Sequence, residues 1–138
     1  MVKSVFVNGT FDILHPGHIR LLSYAKSLGD RLFVAIDSDD RVKQLKGPGR
    51  PINQVNERRE MLLALKSVDE VEIFSTAEEL ELLIKQIQPY IMVIGSDYRN
   101  RTVIGSEFAR HLIFYERIPN QSTTEKIQRI THRGFVSG

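Results

Sequence analysis

Val5-Phe6-Val7-Asn8-Gly9-Thr10-Phe11-Asp12-Ile13-Leu14-His15-Pro16-Gly17-His18 reads as a strand passing into a helix through a polar turn. Val5-Phe6-Val7 is apolar without a break, and beyond His18 the residues Leu21, Leu22, Ala25 and Leu28 recur at helical spacing. Pro16 suits the first helical position, where its missing N–H costs nothing and its fixed φ already fits. His15 and His18 then share one side of the first turn, since residues three apart are neighbours on a helix surface. Free N–H groups at a helix start, beside a glycine turn and two imidazoles, suit a bound phosphate. An H-x-x-H pair is also half of a metal site, but zinc takes three or four protein ligands. The chain has no cysteine, and its other histidines, His111 and His132, are far along the sequence.

Working outward, Lys3–Val7 is the first strand and Pro16–Leu28 the first helix, closed by Gly29-Asp30. Arg31–Asp37 is an unbroken apolar run at its centre, as expected of a strand covered on both faces of a parallel sheet. Residues 3–37 are therefore one βαβ unit, and ligands of such sheets sit beyond the carboxyl ends of the strands. Ser38-Asp39-Asp40 starts a short helix to about Leu45, followed by the loop Lys46-Gly47-Pro48-Gly49-Arg50-Pro51. A helix over Glu57–Lys66 is expected to bury Met61, Leu62 and Leu65, with Val71–Phe74 a third strand. Ser75-x-x-Glu78 and Thr76-x-x-Glu79 both read as capping boxes before a stripe of Leu80, Leu83, Ile84 and Ile87. Pro89 ends that helix, Ile91–Ile94 is a fourth strand, Gly95–Arg101 a polar loop and Leu112–Tyr115 a fifth strand. Ser122-Thr123-Thr124-Glu125 predicts a cap opening a last helix through Ile127 and Ile130. The alternation predicts an α/β fold: a Rossmann-like, doubly wound parallel sheet of about five strands in a single domain. The domain is expected over 1–131, with a basic tail over 132–138.

At 138 residues and 41% hydrophobic content, one globular domain is the expectation. Nineteen basic against seventeen acidic residues leave +2, which is no electrostatic footprint for nucleic acid. No apolar run approaches the ~18 residues of a membrane span, and Met1–Val7 reads as a strand and not a signal peptide. A cytoplasmic location is expected.

Gly9-Thr10-Phe11-Asp12-Ile13-Leu14-His15-Pro16-Gly17-His18 resembles the G-x-F-D-x-x-H-x-G-H signature of the cytidylyltransferase-like nucleotidyltransferases. The loop Lys46–Asn53, with Gly95-Ser96-Asp97-Tyr98, is similar to the heptose-1-phosphate adenylyltransferase domain. Arg117-Ile118-Pro119-Asn120-Gln121-Ser122-Thr123-Thr124 is instead similar to the R-T-x-G-x-S-T-T signature of glycerol-3-phosphate cytidylyltransferases, departing from it at Ile118 and Asn120. The resemblance implies transfer of NMP from a Mg²⁺-bound NTP, ATP or CTP, to a phosphorylated sugar or polyol, with release of pyrophosphate. It implies catalytic roles for His15, His18, Lys46 and Arg117. Gly9, Thr10, Phe11, Asp12, Gly17, Asp97, Ser122, Thr123 and Thr124 would hold the nucleotide, and Lys46 with Arg58 the acceptor. Asp12 has two readings, tying down the turn or helping to place the metal. A homodimer is also expected. Three rivals share parts of the pattern. Class I aminoacyl-tRNA synthetases have the H-x-G-H turn but need a surface for tRNA; an FAD synthetase has the same opening motif; a nucleotide sensor would bind without turnover.

Overall fold

The structure, a computed structural model, describes residues 2–95, 103–116 and 126–131. Six strands form one sheet: β1 Ser4–Gly9, β2 Arg31–Asp37, β3 Glu70–Phe74, β4 Ile91–Gly95, β5 His111–Glu116 and β6 Lys126–Thr131. Among the described residues four α-helices intervene: α1 Pro16–Ser27, α2 Asp39–Lys46, α3 Val55–Leu63 and α4 Ala77–Ile87. The strand order is β3-β2-β1-β4-β5-β6, with the first five parallel and β6 antiparallel to β5. The expected doubly wound parallel sheet is thus present, with an antiparallel strand added at one edge.

Alternate side chains of β1, β2, β4 and β5 enter different cores. Val5 and Val7 join Leu22 and Ala25 of α1 and Leu62 of α3 on one face. Phe6 between them joins Leu80 and Ile84 of α4 on the other. Because both faces are covered, neither β1 nor β2 shows a polar-apolar alternation, which is why the runs Val5–Val7 and Leu32–Ile36 read as buried strands. The register explains where a cleft can open. β1 and β2 pair over six positions, Ser4 with Arg31 through Gly9 with Ile36. β1 and β4 pair only as Val5 with Ile91 and Phe6 with Met92. Their ladder stops well short of Gly9 and Gly95, at the point where the strand order reverses, and this is where such sheets take ligands.

Several boundaries differ from those expected. α3 begins at Val55 because Gln54 caps it, with Glu57 Oε1 accepting from the Gln54 N–H at 3.2 Å. It ends at Leu63, so Leu62 is its buried apolar side chain, while Met61 is 36% exposed and Leu65 packs from the following turn. Of the two capping boxes expected before α4, Thr76 with Glu79 forms in half: Thr76 Oγ1 accepts from Glu79 N, but Glu79 Oε1 accepts from Ser75 N and not from the amide of the cap residue. The last element is a larger departure. The expected helix through Ile127 and Ile130 is strand β6, paired with β5 from Lys126–Glu116 to Thr131–His111. Ile127 and Ile130 fit a helical spacing, but the six-residue segment carries three β-branched residues and completes the open edge of β5. Asp97, Arg117, Ser122, Thr123 and Thr124, and the tail from 132, lie outside the described residues.

Candidate active site

A cavity of about 910 Å³ lies beyond the carboxyl ends of β1, β2 and β4, within the range usual for small-molecule sites. Gly9, Thr10, Phe11, Asp12, His15 and His18 all line it, as does Lys46 from the end of α2. The structure therefore brings together seven of the residues singled out from the sequence.

The turn is tightly determined. Phe11 has φ +50°, the left-handed region that bulky side chains rarely enter, and its ring is buried. That ring lies against Gly9: a Cβ there would meet Phe11 Cε2 at 3.0 Å, so Gly9 leaves room for the ring. On its other side Phe11 meets His18 edge-on, with centroids 5.1 Å apart.

His15 is itself the N-cap of α1, its Nδ1 accepting from Gly17 N at 3.1 Å. His18 Nδ1 accepts from His15 N in return, a longer contact of 3.4 Å. This is a capping box built from two imidazoles, whose rings stack with centroids 3.8 Å apart. It changes the expected role of Gly17. That residue is buried and its N–H is taken by His15, so it serves the histidine and not a phosphate. A nitrogen that accepts from a backbone N–H carries no proton of its own, so the neutral ring bears it on Nε2, a donor. The cap thus turns the helix N-terminus into imidazole donors.

Asp12 ties down the turn. It is 5% exposed, and its carboxylate accepts from Ile52 N and Asn53 N, both at 2.8 Å, and from Arg50 Nε at 3.2 Å. Asn53 Nδ2 donates to the Asp12 carbonyl at 2.8 Å. Burial alone would raise the Asp12 pKa; the two amides and Arg50 outweigh it and hold the carboxyl below its ordinary value. Of the two readings for Asp12, the first is the one built. It fastens the 47–53 loop to the β1–α1 turn, so the loop stands beside the histidines.

Arg58 does not line the cavity. It is 0% exposed and lies behind the cavity wall. Its Nε donates to Asn53 O at 2.9 Å, its Nη1 to Thr10 O at 3.0 Å and Asp37 O at 2.9 Å, and its Nη2 to Asp39 Oδ1 at 2.7 Å. The expectation that it neutralises acceptor phosphate gives way to a structural one: it joins the three segments that frame the cavity. The sequence shows Arg58 only as one of several charges on a helix, and nothing in its spacing reports that it points inward.

Three further charged cavity residues were not singled out from the sequence: Asp37, Arg41 and Arg50. The rule placing ligands at the carboxyl ends of parallel strands would have found Asp37, the last residue of β2. The cavity is asymmetric. Its β4 side carries Val93, Ile94, Val103 and Ile104, whereas its β2 side carries Asp37, Arg41, Lys46 and Arg50. Among the described residues no group of three His, Cys, Asp or Glu could cage a metal ion.

The comparisons agree with this geometry. A family model described as cytidylyltransferase-like matches residues 6–129. The bifunctional protein HldE of Sulfurimonas denitrificans is 48% identical over 128 residues, 93% of this chain and 27% of that protein. HldE of Campylobacter fetus is 48% identical over 126 residues, again 27% of its length. The chain spans 27% of each of these two relatives. Among solved structures, a lipopolysaccharide core biosynthesis protein from Thermoplasma volcanium is similar at 32% identity and TM-score 0.63, over 70% of this chain and 77% of that one. Pantothenate synthetase from Thermus thermophilus, at 16% identity and TM-score 0.57, shares the fold.

Proposed function

The chain belongs to the cytidylyltransferase-like family, and from that premise we propose that it transfers NMP from an NTP to a phosphorylated sugar, releasing pyrophosphate. One observation carries this reading: a stacked imidazole pair, fixed by its own capping box, lines a switch-point cavity that is apolar on one side and cationic on the other. A nucleotide base suits the apolar side formed by Ile94, Val103 and Ile104. A phosphorylated acceptor suits the side bearing Lys46 and Arg50. The triphosphate would then cross between them, beneath His15 and His18. The likeness to a lipopolysaccharide core biosynthesis protein favours a sugar over a simple polyol as acceptor.

In that arrangement an oxygen of the acceptor phosphate attacks the α-phosphorus in line, and the bond to the β-phosphate bridging oxygen breaks. Such chemistry asks the protein for positioning and charge stabilisation and little else. His15 and His18 donate from Nε2 to oxygens whose charge grows as pyrophosphate departs. Lys46, at the end of α2, bridges acceptor and nucleotide phosphates. Ser122, Thr123 and Thr124 take the β- and γ-phosphates, with Arg117 as a planar two-pronged donor to the triphosphate and Asp97 on the nucleotide. Mg²⁺ would enter as an ion carried by the substrate: among the described residues no carboxylate cage forms and Asp12 is engaged by the loop amides, so phosphate oxygens and water would hold it. When bound it supplies charge neutralisation at the triphosphate.

The test is pyrophosphate release from each NTP against a panel of sugar 1-phosphates and glycerol 3-phosphate. Release is expected only when NTP, Mg²⁺ and a phosphorylated acceptor are all present, and faster with a sugar 1-phosphate. Tight NTP binding without turnover across the panel would overturn the reading in favour of a nucleotide sensor. Preference for CTP with glycerol 3-phosphate would overturn the choice of acceptor.

A further inference from the structure

Asp37 and Arg41 form a pair that the transfer chemistry leaves unused. Asp37 ends β2 and lines the cavity, with its side chain 10% exposed. Arg41, one turn into α2, also lines the cavity and is held over the Phe74 ring, 5.4 Å from its centroid. Its amide donates to Ser38 Oγ, the N-cap of α2, so the segment between the two residues is fixed. Yet Arg41 Nε stands 3.7 Å from Asp37 Oδ2, beyond hydrogen-bond reach, and this buried nitrogen has no acceptor. An ion pair closed to 2.8 Å would satisfy both groups; this one is left open toward the cavity. Burial raises the Asp37 pKa although Arg41, Lys46, Arg58 and a hydrogen bond from its own backbone amide all pull it down.

We infer that Asp37 and Arg41 are the hydroxyl-recognition subsite of the acceptor: a sugar hydroxyl seated beside the pair donates to the Asp37 carboxylate and accepts from Arg41 Nε. This rests on the sugar-phosphate reading above and names the part of the acceptor that the site reads. A hydroxyl is the group that can donate and accept at once from a single atom. A third atom can lie within hydrogen-bond distance of both partners when these are 3.7 Å apart. The carboxylate repels an anion, so the acceptor's phosphate belongs further along the same wall, at Lys46 and Arg50. The wall as a whole therefore matches a ligand with an anionic end and a neutral hydroxylated body. A site that reads a substrate hydroxyl with buried polar groups rejects the analogue lacking it strongly, because those groups are then left unpaired.

The experiment compares binding of mannose 1-phosphate, glucose 1-phosphate and inorganic phosphate to the full chain by calorimetry, in wild type, Asp37→Ala and Asp37→Asn. A hydrogen bond to a charged group corresponds to about tenfold or more in affinity. Wild type should bind at least one hexose 1-phosphate at least tenfold more tightly than inorganic phosphate. Asp37→Ala should lose that preference while keeping its affinity for inorganic phosphate, which also reports that the variant is folded. Asp37→Asn, isosteric and free of the buried charge, should retain only part of the preference. Where turnover is measured, the acceptor KM should rise about tenfold in Asp37→Ala and the KM for NTP stay within twofold. An undiminished preference in both variants, or no preference in wild type, overturns the subsite. Because these are binding measurements, a protein that binds sugar phosphate through Asp37 but releases no pyrophosphate would sink the transferase reading and leave the subsite standing.

Discussion

His15 does two jobs that substitution can separate. As N-cap it satisfies Gly17 N through Nδ1, and as a cavity residue it presents Nε2. Asparagine caps as well as any residue but has no second nitrogen across a ring, so His15→Asn should preserve the melting temperature and still lower kcat by about 10²–10³. His15→Ala should add a loss of about 1 kcal/mol in stability to the same catalytic defect. His18→Ala should lower kcat by about 10²–10³ with little change in either KM, as expected for donors that act on the developing charge. A His15→Asn protein with wild-type kcat would reduce that histidine to a cap. At this scale the motif was legible because helix-start chemistry and phosphate chemistry use the same residue types. What it could not show is that the imidazoles occupy the backbone donors themselves, since that depends on ring orientation.

At the scale of elements, the site is assembled by groups that tie its segments to one another. Asp12 binds the 47–53 loop to the β1–α1 turn, and Arg58 binds α3 to that turn, to the end of β2 and to the start of α2. Removing one partner from a buried charged network typically costs about 3–5 kcal/mol. Arg58→Ala should therefore be strongly destabilised in urea unfolding, and Arg58→Lys should not rescue it, because an ammonium cannot span three carbonyls and a carboxylate. A residue that merely neutralised acceptor phosphate would instead raise the acceptor KM in a protein of normal stability, and that result would restore the role expected from sequence. The core strands were legible because burial on both faces leaves a continuous apolar signal. β6 was not, because a spacing of three between two isoleucines is ambiguous in six residues and the deciding fact is the unpaired edge of β5, which is set by the rest of the sheet.

Across the whole molecule, three buried or part-buried carboxylates make stability depend on pH in opposing senses. Asp69 resembles Asp12: burial would raise its pKa, but Lys26 Nζ at 2.5 Å and Leu32 N at 2.7 Å outweigh it and hold it below 3.8. For both, the folded value is below the unfolded one of about 3.9, so their stabilisation is complete above that pH and is lost as pH falls through the folded value. Asp37 runs the other way. Its folded value is raised, so its charge weakens the fold at neutral pH, and the deficit fades as acid titrates it. These carboxylates together should make the melting temperature rise slightly as pH falls from 7, then drop below about 4. Asp37→Asn should raise the neutral-pH melting temperature and abolish the gentle rise. Asp12→Asn should cost about 1–3 kcal/mol at pH 7, since an amide cannot accept from all three of its donors. That cost should shrink toward zero below the Asp12 folded value, where the wild-type group has lost its charge too. Calorimetric melting of both variants from pH 7 to pH 2.5 checks the signs. An acid drop in Asp12→Asn as steep as in wild type would mean that the loop is held by other contacts and that Asp12 belongs to the substrate after all.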